Sequence, residues 1–278
     1  MNFLLVLLCL IWGFNFVIMK QANGLFSPVM FAALRFLVGS MVLFGVGLFA
    51  KVPRVEKSKV KWFVLVGIFQ TAYFNLAIQV SLKYLNAGLV SVLTYSMPLF
   101  FSILAHFFIP GERLTPLKFC GIVLGMIGLG LALNITGFAG DFSYVVLGLS
   151  SAVSWAIANL IIKTKLQDCN KIQFTSWQMI IGTVILFGYA FGFENIKVTA
   201  NVAAVGYLLF SGVVASAFAF VLWSNILTKI PASKASTALL LVPVVGLVSS
   251  YLFLQEMLGL VAIAGVVLIL AGIRLVNS

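Results

Sequence analysis

Apolar residues run in blocks of about twenty along this chain, and polar residues gather in the short gaps between the blocks. A helix needs roughly 20 mostly apolar residues to cross the hydrocarbon core of a bilayer. The pattern predicts ten such helices, at 3–20, 28–50, 61–82, 87–109, 116–135, 143–163, 173–192, 204–227, 231–253 and 258–275. The gaps reach about ten residues at most, too short to hold a soluble catalytic or binding module. The predicted fold class is an all-α polytopic membrane protein, with a single membrane domain over 1–278.

The pattern also repeats. WGFNFVIMK at 12–20 returns as WAIANLIIK at 155–163, and RFLVGSMVLF at 35–44 returns as QMIIGTVILF at 178–187, both at an offset of 143. An offset of 145 carries Pro98 onto Pro243, and one of 144 carries Glu112, Leu114, Gly121 and Gly128 onto Glu256, Leu258, Gly265 and Gly272. A first five-helix repeat over 1–137 and a second over 138–278 follow from this. Five is odd, so the second copy enters the membrane from the opposite side and the repeat is inverted. Inverted repeats are a recurrent build of secondary transporters, with the substrate site near the midplane where the halves meet.

Composition agrees with the membrane reading. Hydrophobic residues make up 63% of the chain and charged residues 8%, against about 25% charged in soluble domains. The net charge of +11 raises the question of nucleic acid, and the placement of the charges answers it. With a cytoplasmic N-terminus, thirteen of the seventeen basic residues fall in inner loops and tail. Lys20, Lys83 and Lys197 fall outside, and Arg35 lies within a helix. The excess of Lys and Arg on one side sets orientation, which predicts both termini in the cytoplasm and no nucleic-acid partner. Met1 and Asn2 lead straight into apolar sequence without a basic stretch, so no cleaved signal peptide is expected. Cys9, Cys120 and Cys169 are scattered and form no C-x-x-C pair, so neither disulfide nor metal is expected.

The repeated Trp and Lys of helices 1 and 6, the Arg-Phe of helix 2, the run SLKYLNAG at 81–88, Pro98 and Pro243, and the Glu-Arg-Leu at 112–114 occur in a fixed order, followed by Gly-x6-Gly in helices 5 and 10. In this the chain resembles the drug/metabolite transporter (DMT) superfamily in its ten-helix EamA branch, over essentially its whole length. WGFNFVIMK, SWAIANLIIK and LLVPVVGLVSSYLFLQEML are similar to the amino-acid-metabolite exporters of that branch. The resemblance implies a cytoplasmic (inner) membrane carrier for small metabolites, with amino acids or their derivatives as cargo. One departure is Met257, which stands where the first repeat has the basic Arg113 and deprives Glu256 of that ion-pair partner.

Several residues are candidates for the substrate site. Trp12 with Asn15, and Trp155 with Asn159, each share a helix face. An indole offers a flat apolar wall and one N–H, and an amide offers both donor and acceptor. Interface anchoring for Trp and interhelical bonding for Asn are the plainer roles. Helix 3 offers Tyr73, Asn75 and Gln79, beside Gln70; helix 8 offers Trp223 and Asn225. In helix 4, Thr94 and Tyr95 precede Pro98, which with Pro243 is a candidate hinge or static kink. Arg35 is positioned to receive a substrate carboxylate, to snorkel, or to bind carbonyls, and its repeat mate is the uncharged Gln178. Glu112 and Glu256 end helices 4 and 9 on opposite faces, as gate latches or structural partners of nearby Lys and Arg. Lys20 and Lys163 read as interface anchors, and His106 as a packing histidine.

No Asp or Glu falls at mid-membrane, where a proton-coupled pump would keep one. A facilitator or exchanger is therefore expected, working by alternating access, with export the direction the resemblance implies. The alternatives are a proton-coupled drug or metabolite antiporter and a flippase of a lipid-linked headgroup. An enzyme is not expected: one His and six scattered acids supply no cluster for metal or acid–base chemistry. No cofactor is expected. The expected partners are a small-molecule metabolite and the lipid bilayer, with the protein a monomer or homodimer.

Overall fold

The apolar blocks fold as helices in a computed structural model that describes residues 3–51, 56–112, 114–132, 142–223, 239, 241–257 and 259–276. In chain order these are α1 (Phe3–Ala22), α2 (Pro28–Phe49), α3 (Lys57–Tyr84), α4 (Ala87–Phe108), α5 (Pro116–Ala132), α6 (Phe142–Lys165), α7 (Lys171–Phe193), α8 (Val202–Trp223), α9 (Leu241–Leu254) and α10 (Leu260–Val276). Seven are long and apolar enough to cross a membrane, and α5, α9 and α10 are shorter apolar helices. The protein is thus an all-α polytopic membrane protein. The stretch 224–238, expected to finish the eighth span and open the ninth, lies outside the described residues.

Two of the long helices are not regular. Gly67–Tyr73 within α3 and Phe210–Phe218 within α8 are π-helical, with α-helix on either side. A π turn takes in an extra residue and loosens the i→i+4 ladder, and such turns concentrate at functional sites. Near Pro98, Tyr95 and Ser96 form a turn between Ala87–Thr94 and Met97–Phe108 of α4, as expected where proline removes an N–H donor.

Packing follows small residues. α10 lies along α5, where Gly121 and Gly272 face each other so closely that a Cβ on either would stand 2.5–2.7 Å from the other's carbonyl oxygen. α2 lies along α7, α1 along α9, and the second half of α4 along α6. The π turn of α3 packs on α7, with Gly67 against the carbonyl of Gln178 and the side chain of Ile181. That of α8 packs on α2, with Gly212 against the carbonyl of Arg35 and the side chain of Val38. Without water to drive association, such close backbone approach supplies the dispersion contacts that hold membrane helices together.

The ends are tied at two opposite faces. At one, the C-terminal end of α1 meets the C-terminal end of α3 and the start of α4, through Lys20 Nζ donating to the Leu85 carbonyl and Asn23 Nδ2 to that of Gln79 at 3.1 Å. Glu194, just past α7, accepts from the Val29 and Met30 N–H groups at 2.9 and 3.0 Å and so caps α2 from across the bundle. At the other face, Lys59 at the start of α3 donates to the carbonyl of Lys165 at the end of α6 at 3.1 Å. The C-termini of α1 and α6 therefore point in opposite directions.

Candidate functional site

Between these faces lies a cavity of about 60 Å³ lined by Trp12, Asn15, Phe16, Met19, Arg35, Phe36, Gln70, Phe74, Asn75, Ile78, Thr94, Tyr95, Trp155, Ala215 and Phe220. Residues of α1, α2, α3, α4, α6 and α8 meet here, and both π turns border it. The volume is well below the ~300–1,000 Å³ of ordinary small-molecule pockets, so the site is contracted in this conformation.

Aromatic rings form the walls. Trp155 packs edge-on to Tyr95, with centroids 5.4 Å apart, and against Phe74 at 5.3 Å. Trp12 packs against Phe220 at 5.8 Å and Trp223 at 6.0 Å. The Trp12 indole N–H is donated to the Ala215 carbonyl at 3.0 Å, in the π turn of α8. Trp12 therefore presents a ring to the cavity while its donor ties α1 to α8. Asn15 Oδ1 accepts from Ser211 Oγ at 2.7 Å, a second tie to the same turn.

The polar centre is Arg35, 3% exposed. Its Nη2 donates to Asn75 Oδ1 at 2.6 Å and its Nη1 to Ser216 Oγ at 3.4 Å, while its carbon lies 4.4 Å from the Phe36 ring centroid. The π turns set up both acceptors. Asn75 Nδ2 donates to the carbonyls of Gln70 and Thr71 at 3.1 and 2.9 Å, which fixes its Oδ1 toward Arg35. Ser216 Oγ donates to the Ser211 carbonyl at 2.7 Å. Arg35 Nε and Gln70 Oε1 are buried without a protein partner.

The other expected residues lie elsewhere. Gln79, fully buried, spends its amide on the Met19 carbonyl at 2.9 Å and Asn23 Oδ1 at 2.7 Å, bracing α1 to α3. Tyr73 is 41% exposed and its hydroxyl meets Ser150 Oγ at 2.9 Å. Asn159 Nδ2 donates to Met97 Sδ at 3.4 Å, and Trp223 is not among the residues that line the cavity but packs against Trp12, which is. Asn225 lies outside the described residues. Phe16, Met19, Phe36, Phe74, Ile78, Ala215 and Phe220 were not anticipated. They carry no polar signal, though Ala215 and Phe220 fall at the offset of 145 from Gln70 and Asn75.

The terminal glutamates and lysines pair across the repeats. Lys20 of α1 forms an ion pair with Glu256, just past α9. Lys163 of α6 pairs with Glu112, just past α4, at 2.7 Å. Under the offsets of 143 and 144 these are the same two residues exchanged. Glu256 thus has a partner despite Met257, and it also accepts from the Ala87 N–H at 2.7 Å and from Ser250 Oγ. The pairs differ in depth: the Glu256 side chain is 13% exposed and that of Glu112 37%. The hydrogen bond from Lys163 holds the Glu112 carboxyl below the ordinary glutamate value. His106 Nδ1 accepts from the Leu114 N–H at 3.3 Å, a local structural contact. Among the described residues no group of His, Cys, Asp and Glu could hold a metal ion.

The model of the EamA-like transporter family matches this chain twice, over residues 1–134 and 142–278. An uncharacterized transporter of Bacillus subtilis, YoaV, is 31% identical over 95% of this chain and 92% of its own length. A "Probable amino-acid metabolite efflux pump" of Escherichia coli K12 is 28% identical over 97% of this chain and 92% of its own length. A solved crystal structure superposes with a TM-score of 0.71 over 98% of this chain and 94% of that chain, at 18% identity, and so shares the fold.

Proposed function

This chain belongs to the EamA-like transporter family, and from that premise we propose that it is an alternating-access exporter of small amino-acid-derived metabolites. It is a multi-pass membrane transporter that carries small molecules across a lipid bilayer. In this proposal two inverted five-helix repeats, 1–137 and 138–278, surround the cavity, with both termini in the cytoplasm of a cell bounded by this inner membrane. In that orientation Lys20–Glu256 closes the outer face and Lys163–Glu112 the inner one.

The observation that carries the reading is the exchange of ion pairs between repeats at opposite ends of one contracted cavity. Each pair joins the first helix of one repeat to the end of the fourth helix of the other. Breaking one opens the cavity to one side while the other keeps it shut, which is what alternating access requires. The matched contacts Gly67 on Gln178 and Gly212 on Arg35 support two related half-bundles able to exchange conformations. The name of the Escherichia coli relative supports the amino-acid-derived cargo.

The test is uptake of a radiolabelled panel of amino acids and their derivatives into proteoliposomes, with and without a pH gradient. Saturable uptake indifferent to the gradient is expected. Uptake only with a gradient would replace the facilitative reading with proton antiport. No uptake of any panel member would remove the amino-acid-derived cargo.

A further inference from the structure

We propose that the substrate crosses as an organic anion, its carboxylate received by Arg35, and that the membrane potential drives its exit. This rests on the transporter reading of the same cavity and names its substrate class and energy source.

Arg35 is a buried cation to which the described residues give no counter-ion. Both its contacts, Asn75 and Ser216, are neutral acceptors, and Nε has no protein partner. The acids among the described residues stand outside the helices: Glu56, Glu112, Asp168, Glu194 and Glu256. Glu112 and Glu256 are held by lysines, and Glu194 by the first N–H groups of α2. A charge at this depth is costly unless paired, and a guanidinium fork matches a carboxylate in two parallel hydrogen bonds.

A purely structural role does not need the charge. Gln178 occupies the same packing position in the second repeat, its backbone carbonyl against Gly67 as that of Arg35 is against Gly212, and it is as deeply buried. The scaffold accepts a neutral side chain there. The residues that line the cavity include no acid to pair with a fixed ammonium, which would meet only neutral acceptors such as Gln70 Oε1 and aromatic faces. A small monocarboxylate with an apolar body and its amino group absent or acylated fits both halves of this description.

The energetics follow from the cycle. Arg35 returns to its starting place each turn, so the charge moved per cycle is that of the substrate alone. A monoanion leaving a cell that is negative inside is driven outward, to an equilibrium ratio of ~50-fold per 100 mV, with no proton needed.

The experiment uses the full-length protein in proteoliposomes, with valinomycin and potassium setting the potential. The radiolabelled probes are N-acetyl-L-leucine, L-leucine and L-leucinamide, an anion, a zwitterion and a cation on one skeleton. N-acetyl-leucine should accumulate when the lumen is positive, toward ~50-fold at 100 mV, and leucinamide should not. R35Q, which copies the second repeat, should lower anion uptake at least tenfold while preserving the melting temperature, and R35K should retain part of it. Uptake of leucine or leucinamide without the anion overturns the proposal and leaves the carrier reading standing, as does anion uptake indifferent to potential or to R35Q. Movement of none of the three overturns the anion assignment; the wider panel then decides the carrier reading separately. The potential dependence of the wild type needs no variant to fold.

Discussion

Replacing Glu256 by glutamine removes one charge from the Lys20–Glu256 pair and keeps the shape of the side chain. Glu256 is 13% exposed in its side chain and gathers three donors, Lys20, the Ala87 N–H and Ser250 Oγ. A hydrogen bond to a charged group in such a setting contributes about 1.5–3 kcal/mol, and the amide keeps at most the weaker, neutral part of it. E256Q should therefore shift the balance toward opening at this face by about 10- to 100-fold. The readout is a single cysteine at Ile78, buried on the cavity wall, in a background lacking Cys9, Cys120 and Cys169. A membrane-impermeant maleimide applied from the Lys20 face should label it about tenfold faster or more in E256Q, with the rate from the opposite face unchanged. The reversed pair, K20E with E256K, should restore slow labelling. The latch assignment fails if E256Q changes the rate less than twofold, or if both faces speed up together, since that would mean general loosening.

Other outcomes follow from the same geometry. E112Q breaks a pair whose carboxylate side chain is 37% exposed. An exposed ion pair contributes ~0.2–1 kcal/mol, so labelling from the Lys163 face should rise no more than about fivefold. The Glu112 carboxyl is lowered by Lys163, so its contribution is complete above the ordinary glutamate value and is lost only as pH falls through the lowered one. Because maleimide reacts with the thiolate, whose fraction itself rises with pH, the readout is the ratio of the E112Q rate to the wild-type rate at each pH, which should hold constant from about pH 5 to 8 and fall toward one only in stronger acid. Asn75→Asp gives Arg35 an internal counter-ion at the 2.6 Å contact; uptake of an anionic probe should fall at least tenfold while thermal stability holds or rises. Gly182→Ala sets a Cβ 2.3 Å from Thr71 Cβ and Cγ2 in the π turn of α3, whereas Gly188 has nothing within 4 Å. G182A should lose about 1–3 kcal/mol and melt earlier, and G188A should melt like the wild type. Trp12→Ala and Trp155→Ala should each cripple transport while expression stays near normal, and unchanged flux in both would remove the cavity walls from the mechanism.

Much of this was legible because a bilayer allows few solutions. Helices are the only way a chain this apolar, without strand alternation, satisfies its backbone in lipid, so block length alone located the elements. The repeat was legible because Trp, Lys, Glu and Gly stand out against an aliphatic background. The π turns were not, since an extra residue in one turn leaves hydrophobicity unchanged and shows only in which carbonyls Asn75 and Ser216 answer. Met257 removes the basic neighbour that would have named a partner for Glu256 in the sequence. Its partner is Lys20, far off in sequence and reachable only when α1 and α9 lie side by side. Gln79 misled for the converse reason: a polar residue deep in a span reads as a ligand group, yet here it braces two helices at the end of the bundle.

On the proposed alternating-access reading, the departures from twofold symmetry set which face the empty carrier favours, while net direction follows the gradient and the potential. Two identical latches would hold the two faces equally, and the carrier would rest as often open to one side as to the other. Here the Lys20–Glu256 pair is the deeper, and its carboxylate also caps α4 and binds Ser250, whereas Lys163–Glu112 stands in reach of solvent, with Lys118 3.8 Å away as a second cation. On the proposed orientation the outer face is the harder to open, so an empty carrier rests open to the cytoplasm, where an exported metabolite accumulates. On the proposed anion reading, binding of a carboxylate at Arg35 supplies what the outer latch withholds. It would neutralise the buried charge of Arg35, which bonds Asn75 of α3 and Ser216 of α8. Both π turns, one from each half, pack on the helix that carries the opposite half's position 35 equivalent, Gln178 on α7 and Arg35 on α2. On that proposal a ligand held at Arg35 bears on contacts made by both halves, which is where occupancy and gate would couple in an alternating-access carrier.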